Sequence, residues 1–172
     1  MKKALLVIDM LKDFVEEDGS LYVGSSGKNI IPVIKKRLEE YRFNEETVLF
    51  ICDRHLSDDL EFNMFPPHCI EGERGAEIIE ELQPRQGERI IPKRRFSAFY
   101  GTDLDLTLRE KSIEKIELTG VCTNICVLYT AADARTRGYE VEVRTEAVAG
   151  PDEEAHRFAL GEMKNTLGVK IF

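Results

Sequence analysis

KIELTGVCTNICVLYTAADARTRG, Lys115 to Gly138, is the stretch that decides the fold. Lys115–Thr119 alternates polar and apolar residues with the period of a strand, and Gly120 closes it. A tight turn follows. Asn124–Arg137 then reads as a helix, with Thr123 or Asn124 able to cap its start and Gly138 ending it. A strand that passes through a short turn into a helix is half of a parallel βαβ unit.

The same alternation extends in both directions. Upstream lie an apolar strand Ala4–Ile8, a helix Asn29–Tyr41 with Ile30, Ile34 and Leu38 at helical spacing, and a strand Thr47–Cys52. A helix Ala76–Leu82 closed by Pro84, a strand Arg89–Ile91 and a helix Leu104–Lys111 complete that side. Downstream come a strand Tyr139–Val143, a helix Asp152–Asn165 with the acidic first turn that a helix dipole favours, and a strand Val169–Phe172. Six strands separated by helices predict a three-layer α/β/α fold with a mainly parallel sheet. Ligands of such sheets bind beyond the carboxyl ends of the strands. The residues placed there are Asp9, Asp53, Lys93 and the segment Gly120–Cys126.

A length of 172 residues predicts one domain, 1–172, at ~150 residues per domain. The 24 basic and 32 acidic side chains leave a net charge of −8, which argues against nucleic acid or an anionic membrane as partner. No apolar run approaches the ~20 residues of a membrane span. The N-terminal MKKALLVIDM is interrupted at Asp9 and lacks a small-residue cleavage site, so it reads as a strand of a cytoplasmic protein. In that reducing setting Cys52, Cys69, Cys122 and Cys126 are expected as thiols.

Cys126 falls in the first turn after the Gly120 strand end. A helix N-terminus there would lower the thiol pKa, and the free N–H groups of the turn could hold an oxyanion, the combination acyl transfer requires. Position alone serves equally well for a small cysteine packing the helix on the sheet. Among bases, His156 lies in a helix and reads as a packing residue. Asp9, desolvated at a strand end, is the better proton acceptor. Lys93, at another strand end, would supply the cation between carboxylate and thiolate; alone, it reads as a solvated lysine of a basic run. Asp53 and His55, two apart in an extended segment, point the same way. With Glu61 and His68 they form a His/carboxylate set that suits zinc, iron or manganese, although ordinary loop polarity is the simpler reading of Asp53 and His55 taken as a pair. Phe14, Phe65, Phe96, Phe99 and Tyr100 lie near these positions, and most of them would serve the core; an aromatic ligand would also use such rings.

These residues resemble the isochorismatase-like cysteine hydrolase superfamily, and within it the bacterial nicotinamidases (pyrazinamidases). Asp9 with Asp13-Phe14 is similar to the family's D-x-x-x-D-F, and Asp53-Arg-His55 to its D-x-H. Pro66-Pro-His-Cys-Ile-Glu-Gly72 with Gly75-Ala-Glu77 resembles P-x-H-C-x-x-G…G-A-E, and Lys93 with Ser97-Ala-Phe99 resembles K-x-x-x-S-A-F. Gly120-Val-Cys-Thr-Asn-Ile-Cys-Val127 with Thr130-Ala-Ala-Asp-Ala134 resembles G-V-x-T-D-x-C-V…T-A-x-D-A. The resemblance spans nearly the whole chain. It implies a Rossmann-like α/β fold and a catalytic triad of Asp9, Lys93 and Cys126. It also implies a cis peptide between Val121 and Cys122, and an oxyanion hole at the N–H groups of Cys122 and Cys126. A divalent metal, zinc first with iron or manganese acceptable, would sit on Asp53, His55, Glu61 and His68 and bind the pyridine nitrogen of the substrate. Phe14, Phe65 and Phe96 would hold a small-molecule amide, nicotinamide, whose hydrolysis yields nicotinic acid and ammonia for NAD salvage. Family members commonly self-associate, so a homo-oligomer is expected. The chain departs from the family pattern at Asn124, where an Asp is usual, at Arg54 and Phe96, and in a short loop from His55 to Glu61. These changes leave open another small amide, a carbamoyl group or a vinyl ether as substrate. A non-catalytic partner protein with a structural Cys126 is the reading from outside the enzymes. A redox pair of Cys122 and Cys126 lacks the C-x-x-C spacing of that chemistry.

Overall fold

Strands covered by helices on both faces must be apolar on both faces, and this sequence supplies them. β1 (Lys3–Ile8), β2 (Thr47–Asp53), β3 (Arg89–Lys93), β4 (Lys115–Val121), β5 (Glu140–Ala149) and β6 (Lys170–Ile171) form one sheet in the order β3-β2-β1-β4-β5-β6. All neighbouring strands run parallel. The computed structural model describes all 172 residues. Its helices are α1 (Lys12–Val15), α2 (Ser25–Asn29), α3 (Ile31–Phe43), α4 (Leu104–Glu110), α5 (Leu128–Thr136) and α6 (Glu153–Asn165).

The alternation along β1 sorts the two layers. Ala4, Leu6 and Ile8 pack on one face with Leu104 and Leu108 of α4, Ala131 and Ala134 of α5, and Met163 of α6. Leu5 and Val7 pack on the other with Ile34, Leu38 and Tyr41 of α3. No helix is long and apolar enough to cross a membrane.

Strand order reverses between β1 and β4, and an open α/β sheet binds its ligands in the crevice at such a point. Here Ile8 pairs with Gly120. Gly120 has φ 109°, and a Cβ on it would stand 1.9 Å from the carbonyl oxygen of Ile8. Only glycine permits this approach. It brings Asp9 and the segment after Gly120 to one place.

The structure differs from the sequence expectation in several elements: β4 runs through Gly120 to Val121 instead of stopping at Thr119, and the short helices α1 and α2 have no counterpart in the expected pattern. Ala76–Leu82 is not a helix; it consists of 3₁₀ turns at Arg74–Ala76 and Glu80–Leu82 around an extended Ile78 bridged to Leu11. The backbone of this segment bonds to the residues after β1: Ile79 N–H donates to Met10 O at 3.1 Å, and Glu77 O accepts from Lys12 N–H at 3.0 Å. Those tertiary bonds outweigh the local helical pattern. The helix expected from Asn124 begins as a π-helical turn, Thr123–Val127, in which Val127 N–H reaches back to Cys122 O at 3.2 Å. β5 continues past Val143 to Ala149, through the polar Arg144, Thr145 and Glu146, where its register against β4 shifts.

Candidate active site

Four strand ends and one loop build the site. Asp9 leaves β1 with φ 51°, a left-handed conformation uncommon for a residue with a side chain. Its Oδ1 accepts from the backbone N–H of Asp53 at 2.8 Å, which ties the end of β1 to that of β2. Lys93, the last residue of β3, is fully buried. Its ammonium stands 3.0 Å from Asp9 Oδ2 and 3.3 Å from Cys126 Sγ, donates to Arg95 O at 3.0 Å, and also bonds to Asp53 Oδ1. Acceptor oxygens of Asp9 and Asp53 and the Cys126 sulfur lie within 4.8 Å of one another. The structure thus brings Asp9, Lys93 and Cys126 into a single buried cluster.

Burial opposes the Lys93 charge, but Asp53, Asp9 and Cys126 outweigh it and lift this ammonium well above its ordinary range. Burial, with Asp53 adding to it, raises Asp9 to about 6 against the pull of Lys93. Cys126 departs from the sequence expectation: burial pushes its thiol well up, and Lys93 offsets only part of that. The turn that carries it, Thr123–Val127, is π-helical and runs directly into α5. A buried thiol beside a carboxylate near neutrality favours direct proton transfer between the two over loss of the proton to water. Cys122, also at the site, is pushed up to about 12 by burial, and the bond before it is cis. Cys52 and Cys69 are buried, unpaired and raised further.

Asp53, His55 and His68 form the metal-type cluster, with one ligand atom from each within 4.8 Å of the others. His68 Nδ1–H donates to Pro66 O at 2.7 Å, which leaves its Nε2 facing Asp53 Oδ2 at 3.7 Å. His55 Nδ1 meets Asp59 Oδ2 at 3.1 Å, and its buried Nε2, 3.6 Å from Asp53, has no hydrogen-bond partner. Glu61 is buried beside them with Oε2 also unpartnered, and burial together with Asp53 raises its pKa. The structure brings together Asp53, His55 and His68, and Glu61 stays outside that group; two imidazole nitrogens and a carboxylate, one of the nitrogens orphaned, suit a divalent cation with nitrogen and oxygen ligands. Burial disfavours the charge on Asp53, yet Lys93 and the two imidazoles outweigh it and keep that carboxylate well below its usual range.

The loop carrying His68 is fixed by Asp13, whose carboxylate accepts from Cys69 N–H at 2.7 Å and Ser20 N–H at 3.2 Å. Gly75 packs so close that a Cβ there would overlap the Asp13 carboxylate. A cavity of about 110 Å³ opens on Cys122, Cys126, Asp53, Glu61 and His68. Phe14, Phe65 and Phe96 line it, joined by Leu21, Val23, Ile125 and Pro151. This size suits a single small ring, since an engineered apolar cavity of ~150 Å³ binds benzene. Phe99 instead packs in the core against Tyr139, and Tyr100 is exposed.

Sequence reasoning missed Asp59 and Phe62. Asp59 is buried, and besides His55 it accepts from Glu61 N–H, Arg94 Nε and Arg95 Nη1 at 2.9–3.0 Å. Its one sequence signal is an N-cap residue before Leu60–Asn63. Phe62 packs its ring against both imidazoles at 5.4 and 5.6 Å. His156 packs as expected, its Nδ1 2.8 Å from the Thr123 hydroxyl.

The isochorismatase domain model matches residues 3–171. An isochorismatase family protein of Bacillus subtilis (strain 168), PncA, is 39% identical, with 99% of each chain covered. A crystal structure of nicotinamidase/pyrazinamidase PncA from Bacillus subtilis superposes with a TM-score of 0.95 at 39% identity over 99% of each chain. The pyrazinamidase of Pyrococcus horikoshii in complex with zinc matches at 0.93 and 32% identity, over 100% of this chain and 99% of its own. N-carbamoylsarcosine amidase from Thermoplasma acidophilum matches at 0.91 and 32%, over 99% and 95%. By sequence and by fold, the chain belongs to the isochorismatase family, in the company of its nicotinamidase/pyrazinamidase-type hydrolases.

Proposed function

We propose that the chain is a metal-assisted cysteine amidohydrolase that converts nicotinamide to nicotinic acid and ammonia, a step of NAD salvage. The observation that carries this reading is that one aromatic-lined cavity exposes a member of each of two clusters: Cys126, backed by the buried Asp9 and Lys93, and Asp53 with His68, backed by the buried His55. Phe14, Phe65 and Phe96 enclose the ring of the substrate. Asp9 takes the proton of Cys126, and Lys93 stabilises the thiolate. The thiolate attacks the carboxamide carbon, and the carbonyl electrons move to oxygen, where the N–H groups of Cys122 and Cys126 receive the charge. As the tetrahedral centre collapses, the C–N bond breaks, the nitrogen takes the proton from Asp9, and ammonia leaves a thioester on Cys126. Water then gives a proton to Asp9 and attacks the thioester. The C–S bond breaks, Cys126 regains its proton and nicotinic acid is released.

Asp53, His55 and His68, with Glu61 beside them, would hold a divalent metal, which supplies Lewis-acid coordination to the ring nitrogen when bound. Zinc is favoured by the donor set and by the zinc complex of the Pyrococcus relative; iron and manganese accept the same ligands. A cytoplasmic setting suits a nucleophile that must stay a free thiol.

The test is ammonia release from nicotinamide by the purified protein after its metal content is measured. Cys126→Ala should abolish release, and metal removal should raise KM. Wild-type release by Cys126→Ala would exclude the thioester, and an unchanged KM in stripped protein would exclude the metal role. A second reading, hydrolysis of another small amide or a carbamoyl compound, is favoured by the N-carbamoylsarcosine amidase match and by Phe96 and Asn124. N-carbamoylsarcosine in the same assay separates the two.

A further inference from the structure

Beyond the carboxyl ends of β2 and β3 lies a second cleft, of about 470 Å³, which shares no lining residue with the aromatic cavity. Arg54, Arg94, Arg95 and Tyr100 line it. Arg94 and Arg95 are already engaged: both donate to the buried Asp59 carboxylate at 2.9 Å, while their side chains stay 48% and 38% exposed to the cleft side and solvent. Arg54 differs. It follows the last residue of β2, is half-buried, makes no ion pair, and its Nε is buried with no hydrogen-bond partner. Leaving a buried donor of a charged group unsatisfied is costly, and native proteins rarely do so without a reason. The nearby carboxylates are committed elsewhere or unpaired with Arg54: Asp59 to His55, Arg94 and Arg95, Glu61 to Arg95 at 3.8 Å, and Asp9 and Asp53 to Lys93, while Glu71 on the wall and Glu77 and Glu80 in an adjoining hollow form no ion pair with Arg54.

A guanidinium presents its N–H groups as a planar fork that matches the oxygens of a phosphate or carboxylate. In a protein of net charge −8, a cleft with three guanidiniums is a local reversal of sign. We propose that this cleft is a second binding site, for a small ligand bearing a phosphate or carboxylate group, with Arg54 as its anchor and Arg94 and Arg95 as flanking cations. The site shares no lining residue with the amide cavity, although the mostly buried Lys93 is on its wall, and it does not rest on the identity of the amide substrate.

Titration calorimetry of the full-length, metal-loaded protein at low ionic strength tests this, with glycerol 3-phosphate and succinate as separate probes. Saturable 1:1 binding of either probe is expected, and the stronger of the two assigns phosphate or carboxylate. Arg54→Gln should weaken it at least ten-fold, and Arg54→Lys should restore part of that loss. Tyr100→Glu, at an exposed position, adds a negative charge to the cleft without disturbing the core and should also weaken binding ten-fold. Thermal melting of each variant verifies that it is folded. Should Arg54→Gln prove unfolded, Tyr100→Glu decides. No saturable binding of either probe, or wild-type affinity in a folded Arg54→Gln or in Tyr100→Glu, overturns the proposal; the latter would place the anion at the metal-type cluster instead.

Discussion

Asp59 takes a hydrogen bond from His55 Nδ1 at 3.1 Å, and this contact decides which imidazole nitrogen faces the site. Burial opposes the Asp59 charge, but the Glu61 N–H, His55, Arg94 and Arg95 together hold that carboxylate well below its usual range. An ionised carboxylate only accepts, so the His55 proton sits on Nδ1 and Nε2 is left as a lone-pair donor. Asp59→Asn keeps an oxygen for the Glu61 N–H but loses the charge that fixes the tautomer. Metal affinity should fall about 10–100-fold. Competition against a chelator, with bound metal quantified, reads this directly. Wild-type affinity would reduce Asp59 to a cap of the following turn.

The acid side of the activity profile should follow Asp9. Its carboxyl is raised to about 6, by burial first and by Asp53 second, with Lys93 opposing. The ionised form is the proton acceptor, so activity is present above that pH and lost as the pH falls through it. In metal-loaded enzyme, kcat/KM should decline by about ten-fold per pH unit below the midpoint. Asp9→Asn should be inactive across the range. A profile with no acidic limb would place the base elsewhere.

Strand ends are legible in the sequence where an apolar run meets a polar residue, as at Ile8 then Asp9 and at Cys52 then Asp53; β4 is the exception, running through Gly120 to Val121. Once the sheet is parallel, those residues must share an edge. That is why Asp9, Asp53, Lys93 and Cys126 could be grouped before any coordinates. Features fixed by long-range backbone bonds were not legible. Ala76–Leu82 has helical spacing, and nothing local reveals that Met10 and Lys12 will pair with its backbone. The raised thiol of Cys126 has no local signal either, because its largest cause is burial, which distant segments supply. Asp59 sits in a loop whose pattern suggests only solvation, and its partners Arg94 and Arg95 are 35 and 36 residues away.

Lys93 should matter to stability as well as to the reaction. Its ammonium is buried between the carboxylates of Asp9 and Asp53. Lys93→Met removes the cation and leaves two acidic groups facing each other out of water. Breaking a buried ion pair in this way costs about 3–5 kcal/mol. The deficit should be largest at alkaline pH, where both carboxylates are ionised, and should shrink as the pH falls and Asp9 takes up a proton. Urea melts of wild type and variant at several pH values measure it. A deficit independent of pH would mean that lost packing, not unpaired charge, is responsible.

Gly120 joins fold and site. Its φ of 109° and the 1.9 Å that would separate a Cβ from Ile8 O impose two separate penalties on any other residue. Gly138, after α5, has φ 87° but open space around the position of a Cβ, so it incurs only the first. Gly138→Ala should cost about 1 kcal/mol, the strain of a left-handed alanine. Gly120→Ala should cost at least ~3 kcal/mol, because β1 and β4 must also move apart. That movement separates Asp9, which follows Ile8, from the turn that carries Cys126. Activity in folded Gly120→Ala should therefore fall further than its stability alone would dictate, whereas Gly138→Ala should keep wild-type turnover. Equal losses in the two variants would show that the left-handed backbone, rather than the contact between the strands, is what the position requires.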